Sequence, residues 1–192
     1  MAIPVKYQRS PDPAIASYDY VDLAEGTGIV ALYLYSSIVV SDVNDYHLGR
    51  TAVYSADTTL DKTHTDIDYD LSPFSTPRDI KGTGFINIPY NLGDGESGYL
   101  TCKVRKWDGT NETEIASVVT NTASGASVGI FSVPITIPLT HFKIGETLRF
   151  TVGLTVVGGT AAFDYGIQPM NLTSGTMITT TSKFFCPFLL NN

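Results

Sequence analysis

The amino-acid sequence predicts an all-β fold, an antiparallel β-sandwich or jelly roll with an extended N-terminal arm. Three observations support this prediction. Short segments that alternate apolar and polar residues recur along the chain, as half-buried strands do. Gly, Pro, Asn and Asp separate these segments, and no helical stretches alternate with them. Ser, Thr and aromatic residues are abundant, with 11 Tyr and 9 Phe, a composition that suits strands.

The predicted arm covers residues 1–24. Pro4, Pro11 and Pro13 exclude a continuous helix or a central strand there, because proline has no N–H to donate. We therefore expect an extended segment that runs over another surface. The remaining residues, 25–192, are expected to form a single domain, long enough to bury roughly 70% of its unfolded surface without disulfide support.

Ten short segments are predicted as strands. The clearest is residues 147–157, where Leu148 and Phe150 face inward while Arg149 and Thr151 face outward. In chain order the ten are residues 28–40, 49–55, 63–71, 84–90, 98–107, 112–122, 127–138, 147–157, 161–168 and 176–185.

Two connections carry turn signals. The stretch WDGTNE, residues 107–112, predicts a tight hairpin, because Asp-Gly supplies the positive φ that such a turn needs. The stretch LTHFKIGE, residues 139–146, is the only place where a brief helical turn is expected.

Charge and hydropathy exclude two classes of partner. The formal net charge of −7 argues against nucleic acid, whose phosphates are bound by clustered Lys and Arg. The longest apolar run, from Ile29 to Tyr35, is far shorter than the ~20 residues of a membrane span. Residues 1–8 lack the charged start and apolar core of a secretory signal, so we expect synthesis in the cytoplasm.

Cysteine and histidine give no metal-site signal. Cys102 and Cys186 allow one disulfide at most and are predicted to be buried free thiols. His47, His64 and His141 lie far apart, and none has a second His or Cys at ligand spacing. Zinc is therefore not predicted.

Three carboxylates recur at alternate positions in the predicted strand HTDIDYDL. Asp66, Asp68 and Asp70 face one side of such a strand. The spacing matches the opening of a calcium loop, but Leu71 stands where that loop needs Gly and Pro77 where it needs Glu. We interpret the three as a solvated edge or as partners for Lys and Arg. A looser surface site for Ca²⁺ is the alternative, and no other cofactor is predicted.

Two glycine motifs match known patterns without their structural context. Residues 93–98, GDGESG, match the dinucleotide fingerprint, yet a strand follows where a helix N-terminus would hold the pyrophosphate. Residues 125–129, GASVG, match the nucleophile elbow around Ser127, again without a following helix. His141 follows with no triad carboxylate placed between them. We therefore predict no catalytic residue and no enzymatic activity.

Aromatic residues on the strands favour a core or an interface over a sugar-binding platform, since tyrosine combines a large apolar body with a polar tip. They are Tyr33, Tyr35, Tyr54, Tyr69, Tyr90, Tyr99 and Trp107.

Taken whole, the chain resembles the small jelly-roll structural proteins of tailed-phage virions, such as head decoration (cement) proteins and tail-fibre modules. The resemblance rests on the Pro-containing arm MAIPVKYQRSPDPAIASYDYVDL, the strand opening GTGIVALYLYSSI, and ITIPLTHFKIGETLRFTVGLTVV with its loop-to-strand corner FKIGETLRF. Such families imply no catalysis, a homotrimer or other oligomer, and binding to capsid or tail proteins.

The resemblance therefore leads us to expect a capsid decoration protein, located in the virion, that binds and stabilises the shell of the major capsid protein. Its arm would make the contacts, through Pro4, Tyr7, Arg9, Pro11, Pro13, Tyr18 and Tyr20. A tail-fibre receptor-binding or carbohydrate-binding module is the second hypothesis, and a polysaccharide lyase or hydrolase is the third.

Overall fold

The computed structural model describes residues 28–39, 43–51, 59–60, 66–125, 127–159, 164–166 and 182–189. Every regular element within these ranges is a β-strand, so the all-β prediction is confirmed. The strands are β1 (Ile29–Val39), β2 (Val43–Gly49), β3 (Thr59–Leu60), β4 (Ile67–Asp70), β5 (Arg78–Leu92), β6 (Ser97–Trp107), β7 (Glu112–Val119), β8 (Ala123–Ser124), β9 (Ser127–Phe142), β10 (Thr147–Gly158), β11 (Asp164–Gly166) and β12 (Lys183–Pro187).

Hydrogen bonds join these strands into one mixed sheet. Its order is β3-β11-β5-β12-β1-β2-β4-β10-β6-β7, with β9 paired to β5 and β8 paired to β6. The described pairs are antiparallel except for β2 and β4, which run parallel where His47 meets Asp70. The sheet therefore departs from the purely antiparallel arrangement that the sequence predicted.

The sheet curves into two layers that enclose one hydrophobic core. Phe150 of β10 stacks on Phe184 of β12, with ring centroids 4.8 Å apart and planes 12° from parallel. Fully burying one such side chain contributes about 1.5–3 kcal/mol, and both rings belong to the core. Other fully buried large side chains are Leu32, Leu34, Tyr69, Ile80, Ile86, Ile88 and Phe142.

Strand β10 confirms the clearest alternation in the sequence. Leu148, Phe150 and Val152 have no exposed surface, while Arg149 on the opposite face is partly exposed. Thr151 also lies on the outer face but is buried, because neighbouring side chains cover it. The outer face of this strand is therefore more crowded than its polar sequence indicates.

The predicted hairpin at residues 107–112 joins β6 to β7. Asp108 Oδ1 accepts hydrogen bonds from the N–H groups of Thr110 at 2.8 Å and Asn111 at 2.6 Å. These bonds, chiefly the one from Asn111, lower the pKa of Asp108. Gly109 has φ of 95°, the positive value that Asp-Gly predicted.

The prediction of a brief helical turn at residues 139–146 is wrong, because β9 continues as a strand to Phe142 and a tight turn follows.

Two strands begin earlier than the sequence predicted. The part of β2 before residue 49 was not predicted, since its sequence VNDYHLG lacks a clear apolar alternation. Strand β5 begins at Arg78, six residues before the predicted start at 84. Its first part, RDIKGT, is polar and exposes Arg78 and Lys81, so only Ile80 marks an inner face.

Several predictions fall outside the described residues. They include the whole arm, residues 1–24 with Pro4, Tyr7, Arg9, Pro11, Pro13, Tyr18 and Tyr20, and most of the predicted strand at 176–185. Within the described ranges, no helix has the length and hydropathy needed to cross a membrane.

Candidate functional site

Four strands bring acidic and basic side chains together on one outer surface, which we call the charged face. It is defined by the outward side chains of Asp68 and Asp70 on β4, Arg149 and Thr151 on β10, Arg105 on β6 and Glu112 on β7. Strand β4 buries Tyr69 completely, so Asp68 and Asp70 on either side of it point outward. The ladder between β4 and β10 then sets Arg149 opposite Asp70 and Thr151 opposite Asp68. The alternation of β4 and the register with β10 thus create the site.

Arg149 is the centre of the charged face. Its Nε and Nη2 donate to the two carboxylate oxygens of Asp70, each at 2.7 Å, which is the bidentate geometry of a strong ion pair. Its Nη1 donates to Glu112 Oε1 on β7 at 2.9 Å. The hydrogen bond with Asp70 is the largest cause that raises the pKa of Arg149. The guanidinium also lies over the ring of Trp107, 4.8 Å from its centroid.

Asp68 is held by three neighbouring groups. Thr151 Oγ1 donates to Asp68 Oδ1 at 2.5 Å, and Arg149 Nη1 donates to Asp68 Oδ2 at 3.4 Å. Arg105 Nη1 lies 3.8 Å from Asp68 Oδ1 and donates to Glu112 Oε2 at 2.7 Å. Asp68 and Glu112 therefore both contact the guanidinium groups of Arg105 and Arg149. These contacts link four strands into one network.

Asp66 lies at the margin of this network. Its side chain is 61% exposed, and its Oδ2 lies 3.9 Å from Lys103 Nζ. The glycine at residue 153 makes room for it, because any side chain at that position would collide with Asp66 Oδ1. Asp66 is thus the least constrained of the three predicted carboxylates.

The arrangement favours ion pairing with arginine over calcium binding. Ca²⁺ takes six to eight oxygen ligands, whereas the oxygens of Asp68 and Asp70 already accept from Arg149 and Thr151. Among the residues that the structure describes, no group of three or more His, Cys, Asp or Glu side chains could hold a metal ion. His64 lies outside those residues, and calcium at Asp66, Asp68 and Asp70 stays a prediction.

A histidine–carboxylate pair lies on the other sheet layer. His141 of β9 is the register partner of Asp79 of β5, and its Nδ1 lies 2.6 Å from Asp79 Oδ1. Such a contact fixes the orientation of the imidazole ring. The pair is half open to solvent, since the His141 side chain is 56% exposed.

Both glycine motifs run into a strand. Residues 93–96 form the turn between β5 and β6, Ser97 and Gly98 begin β6, and Ser127 to Gly129 begin β9. A strand follows each motif, so neither has the helix that a pyrophosphate site or a nucleophile elbow requires.

Two glutamates stabilise turns at equivalent corners of the sandwich. The sequence analysis did not identify them. Glu96 accepts from the N–H of Gly93 between β5 and β6, and Glu146 accepts from the N–H of Lys143 at 2.8 Å between β9 and β10. The bond from Lys143 is the main cause that lowers the pKa of Glu146. The signal was in the sequence: Gly-Glu followed by Ser or Thr at the start of each strand, residues 95–97 and 145–147.

Both cysteines are free and buried, as the sequence predicted. Burial raises the pKa of Cys102 to about 12 and raises the pKa of Cys186 as well. Such thiols stay protonated at neutral pH and are poor nucleophiles.

Comparison with known proteins adds a likeness in fold. No protein-family model matches the chain, and no curated protein matches it. A CocE/NonD family hydrolase from Staphylococcus aureus matches with a TM-score of 0.60 and 14% identity, over 85% of this chain and 37% of the hydrolase. An α-amino acid ester hydrolase matches with a TM-score of 0.52 and 9% identity, over 84% of this chain and 36% of that one.

A third solved structure extends the same pattern. An aminopeptidase from the marine sediment archaeon Thaumarchaeota archaeon matches with a TM-score of 0.51 and 10% identity, over 85% of this chain and 37% of the aminopeptidase. The chain therefore spans little more than a third of each protein that it matches. At these identities the likeness concerns the fold alone.

These matches correct the functional expectation. The prediction of a non-enzymatic virion structural protein, whether decoration protein or tail-fibre module, is wrong, because the proteins that share the fold are hydrolases. Of that expectation, only the β-sandwich fold is confirmed. Both virion hypotheses took a function from the jelly-roll fold, and one fold serves many functions. Oligomeric state and partners are not tested by these matches and stay predictions.

Proposed function

We propose that this chain is the β-sandwich unit of a hydrolase and works beside a separate catalytic domain. The observation that carries the proposal is the match of 85% of the chain to 37% of the CocE/NonD family hydrolase. The other two matches repeat these proportions. In each protein the larger part lies outside the match, which leaves room for a domain that performs the chemistry.

The geometry of the described residues supports this division of labour. A nucleophile elbow presents its serine on a sharp turn between a strand and a helix. Residues 125–129 carry the matching letters but lead into the long strand β9. A catalytic nucleophile of that kind is therefore expected on the partner domain.

The bond that is cleaved is proposed to be an ester or an amide. One matching protein is named an amino acid ester hydrolase and another an aminopeptidase, and both names describe hydrolysis at an acyl carbon. A single mechanism serves both bonds, since water replaces an alcohol or an amine through a tetrahedral intermediate.

The charged face suits the role of a rigid companion domain. Its network joins β4, β10, β6 and β7 through Arg149 and Arg105, so that four strands hold a fixed relation to one another. A rigid body can hold a neighbouring domain in one orientation, which is what precise positioning of a substrate needs.

The test is to isolate the protein from its source with an antibody against this chain. The precipitate is assayed for hydrolysis of p-nitrophenyl acetate and labelled with a fluorophosphonate probe, which marks activated serines. We expect hydrolysis and a labelled serine that lies outside the 192 residues, on the same or a bound polypeptide. A precipitate with neither activity nor label would contradict the proposal.

A second experiment uses the purified chain by itself. We expect it not to hydrolyse p-nitrophenyl acetate. If it does, and if His141→Gln abolishes the activity while Lys143→Gln does not, the chemistry depends on the pair of His141 and Asp79. The proposal of a separate catalytic domain would then be wrong.

A further inference from the structure

A cluster of exposed apolar side chains lies on the outer surface of β5, β9 and β12. We call this surface the apolar face and define it by Phe85, Val128, Ile130, Pro134 and Phe185. Three of them are large and open to solvent: Phe85 is 46% exposed, Val128 is 62% and Ile130 is 50%. The register places Phe85 between Pro134 on β9 and Phe185 on β12, in one row across three strands. Ile130 and Val128 lie farther along β9, beyond the polar pair of Ser132 and Asn87, so the face has two apolar parts.

Two polar contacts lie between and beside these apolar residues. Ser132 Oγ donates to Asn87 Oδ1 at 2.8 Å across β5 and β9. Lys183 Nζ lies over the ring of Tyr33, 5.2 Å from its centroid. These contacts lower the desolvation cost of covering Ser132, Asn87 and Lys183 with another protein.

The described side chains of this surface carry little charge. The chain carries a formal net charge of −7, so that two copies repel one another in most orientations. Among the described side chains on the outer surface of β5 from Thr83 to Asn91, of β9 from Val128 to Thr136, and of β12, none is acidic. Lys183 is the one charged group there.

The size of the face matches a weak dimer. Strand spacing of ~4.8 Å across β9, β5 and β12, and a rise of ~3.4 Å per residue from Val128 to Thr136, give about 400 Å² per copy. Two copies would bury about 800 Å², which is the size of a weak, transient contact. A dimer through this face therefore forms only at high concentration.

We propose that the apolar face binds the apolar face of a second copy of this chain, related by a two-fold axis. Such a contact is self-complementary and closes after two copies, which gives a dimer and not the trimer that the virion resemblance implied. The sheets would pack face to face, with Phe85 and Ile130 on either side of the Asn87–Ser132 pair. The inference goes beyond the proposed hydrolase function and does not depend on it.

The test is sedimentation velocity of the full chain over concentrations from about 1 to 200 µM, the range in which an interface of this size dissociates. We expect a shift from monomer to dimer across the range. The double variant Phe85→Ser with Ile130→Ser should weaken association at least about tenfold, because buried aromatic anchors carry most of the binding energy. The melting temperature at the lowest concentration should stay unchanged.

The matched control changes two apolar residues that are at least as exposed but lie elsewhere. Val119 is 56% exposed at the end of β7, and Ile144 is 67% exposed in the turn between β9 and β10. Val119→Ser with Ile144→Ser should leave association unchanged. A chain that is monomeric throughout overturns the inference, as does a dimer that the first pair leaves intact or that the control pair weakens.

Discussion

The charged face and the apolar face differ in where their side chains find partners. On the charged face, Asp70, Arg149 and Glu112 come from three strands and bond to one another. On the apolar face, Phe85 and Ile130 remain half exposed. The two surfaces belong to opposite layers, since β10 and β12 stack through the core. One face is complete within the chain, whereas the other is completed by a second copy.

Removing Arg149 is the strongest way to break the charged face. Arg149→Leu leaves Asp68, Asp70 and Glu112 close together without their shared cation, and the Arg149 side chain that it replaces is only 16% exposed. We expect a loss of about 2–3 kcal/mol in the free energy of unfolding, because half-buried carboxylates lose their main partner. Urea unfolding followed by circular dichroism measures the loss.

Arg149→Lys is the control for this prediction. Lysine keeps the positive charge but cannot make the two parallel bonds to Asp70, so we expect about half the loss. A loss below about 0.5 kcal/mol in Arg149→Leu would mean that the network is an ordinary surface ion pair.

Thr151→Val tests the buried layer beneath the same face. Thr151 has no exposed surface, and its hydroxyl donates to Asp68. Valine fills the same volume without that donor, so we expect a loss of about 1 kcal/mol in the free energy of unfolding. Thr151→Ser is the control, because serine keeps the hydroxyl that donates to Asp68. If Thr151→Ser loses less unfolding free energy than Thr151→Val, the hydrogen bond is the cause.

Glu146→Gln tests the corner beside the charged face through pH. The folded state lowers the pKa of Glu146 from its ordinary value of 4.5, so its ionised form stabilises the fold above that value. This stabilisation is lost as the pH falls through the lowered pKa. Between about pH 5 and pH 3 we therefore expect the wild-type chain to lose more stability than Glu146→Gln.

Urea unfolding at a series of pH values gives both curves. Glu114→Gln on β7 is the matched control, because Glu114 is exposed. Its curve should follow that of the wild type. Parallel curves for wild type and Glu146→Gln would show that the corner contributes nothing to acid sensitivity.

The strands and the grouping of the acids could be predicted, because both follow from local alternation. The inward side chains of β10 and the common face of Asp66, Asp68 and Asp70 needed only the two-residue period of a strand. The partner of Asp70 could not be predicted, since Arg149 lies 79 residues away and meets it through the register of β4 and β10. Local sequence carries no information on that register.

The apolar face was missed for a different reason. The stretch FINIPY in β5 is rich in apolar residues in both phases of the strand, with Phe85 outside and Ile86 and Ile88 inside. When both phases are apolar, alternation does not tell which side faces the core. The function was predicted wrongly because the resemblance rested on the pattern of the strands and on the arm. Neither feature shows where a catalytic or binding side chain lies.

Phe85→Ser has the smallest expected effect on stability and separates the two faces most sharply. At about 1 µM, below the range where copies associate, we expect the free energy of unfolding to change by less than about 0.5 kcal/mol. The reason is that a ring already 46% exposed in the monomer gains little from folding. At about 200 µM the wild type should be more stable than the variant, since a dimer that only the folded state forms adds stability by mass action. A concentration-independent loss would instead mean that Phe85 stabilises its own sheet through Pro134 and Phe185, and the apolar face would then be complete within the chain, like the charged one.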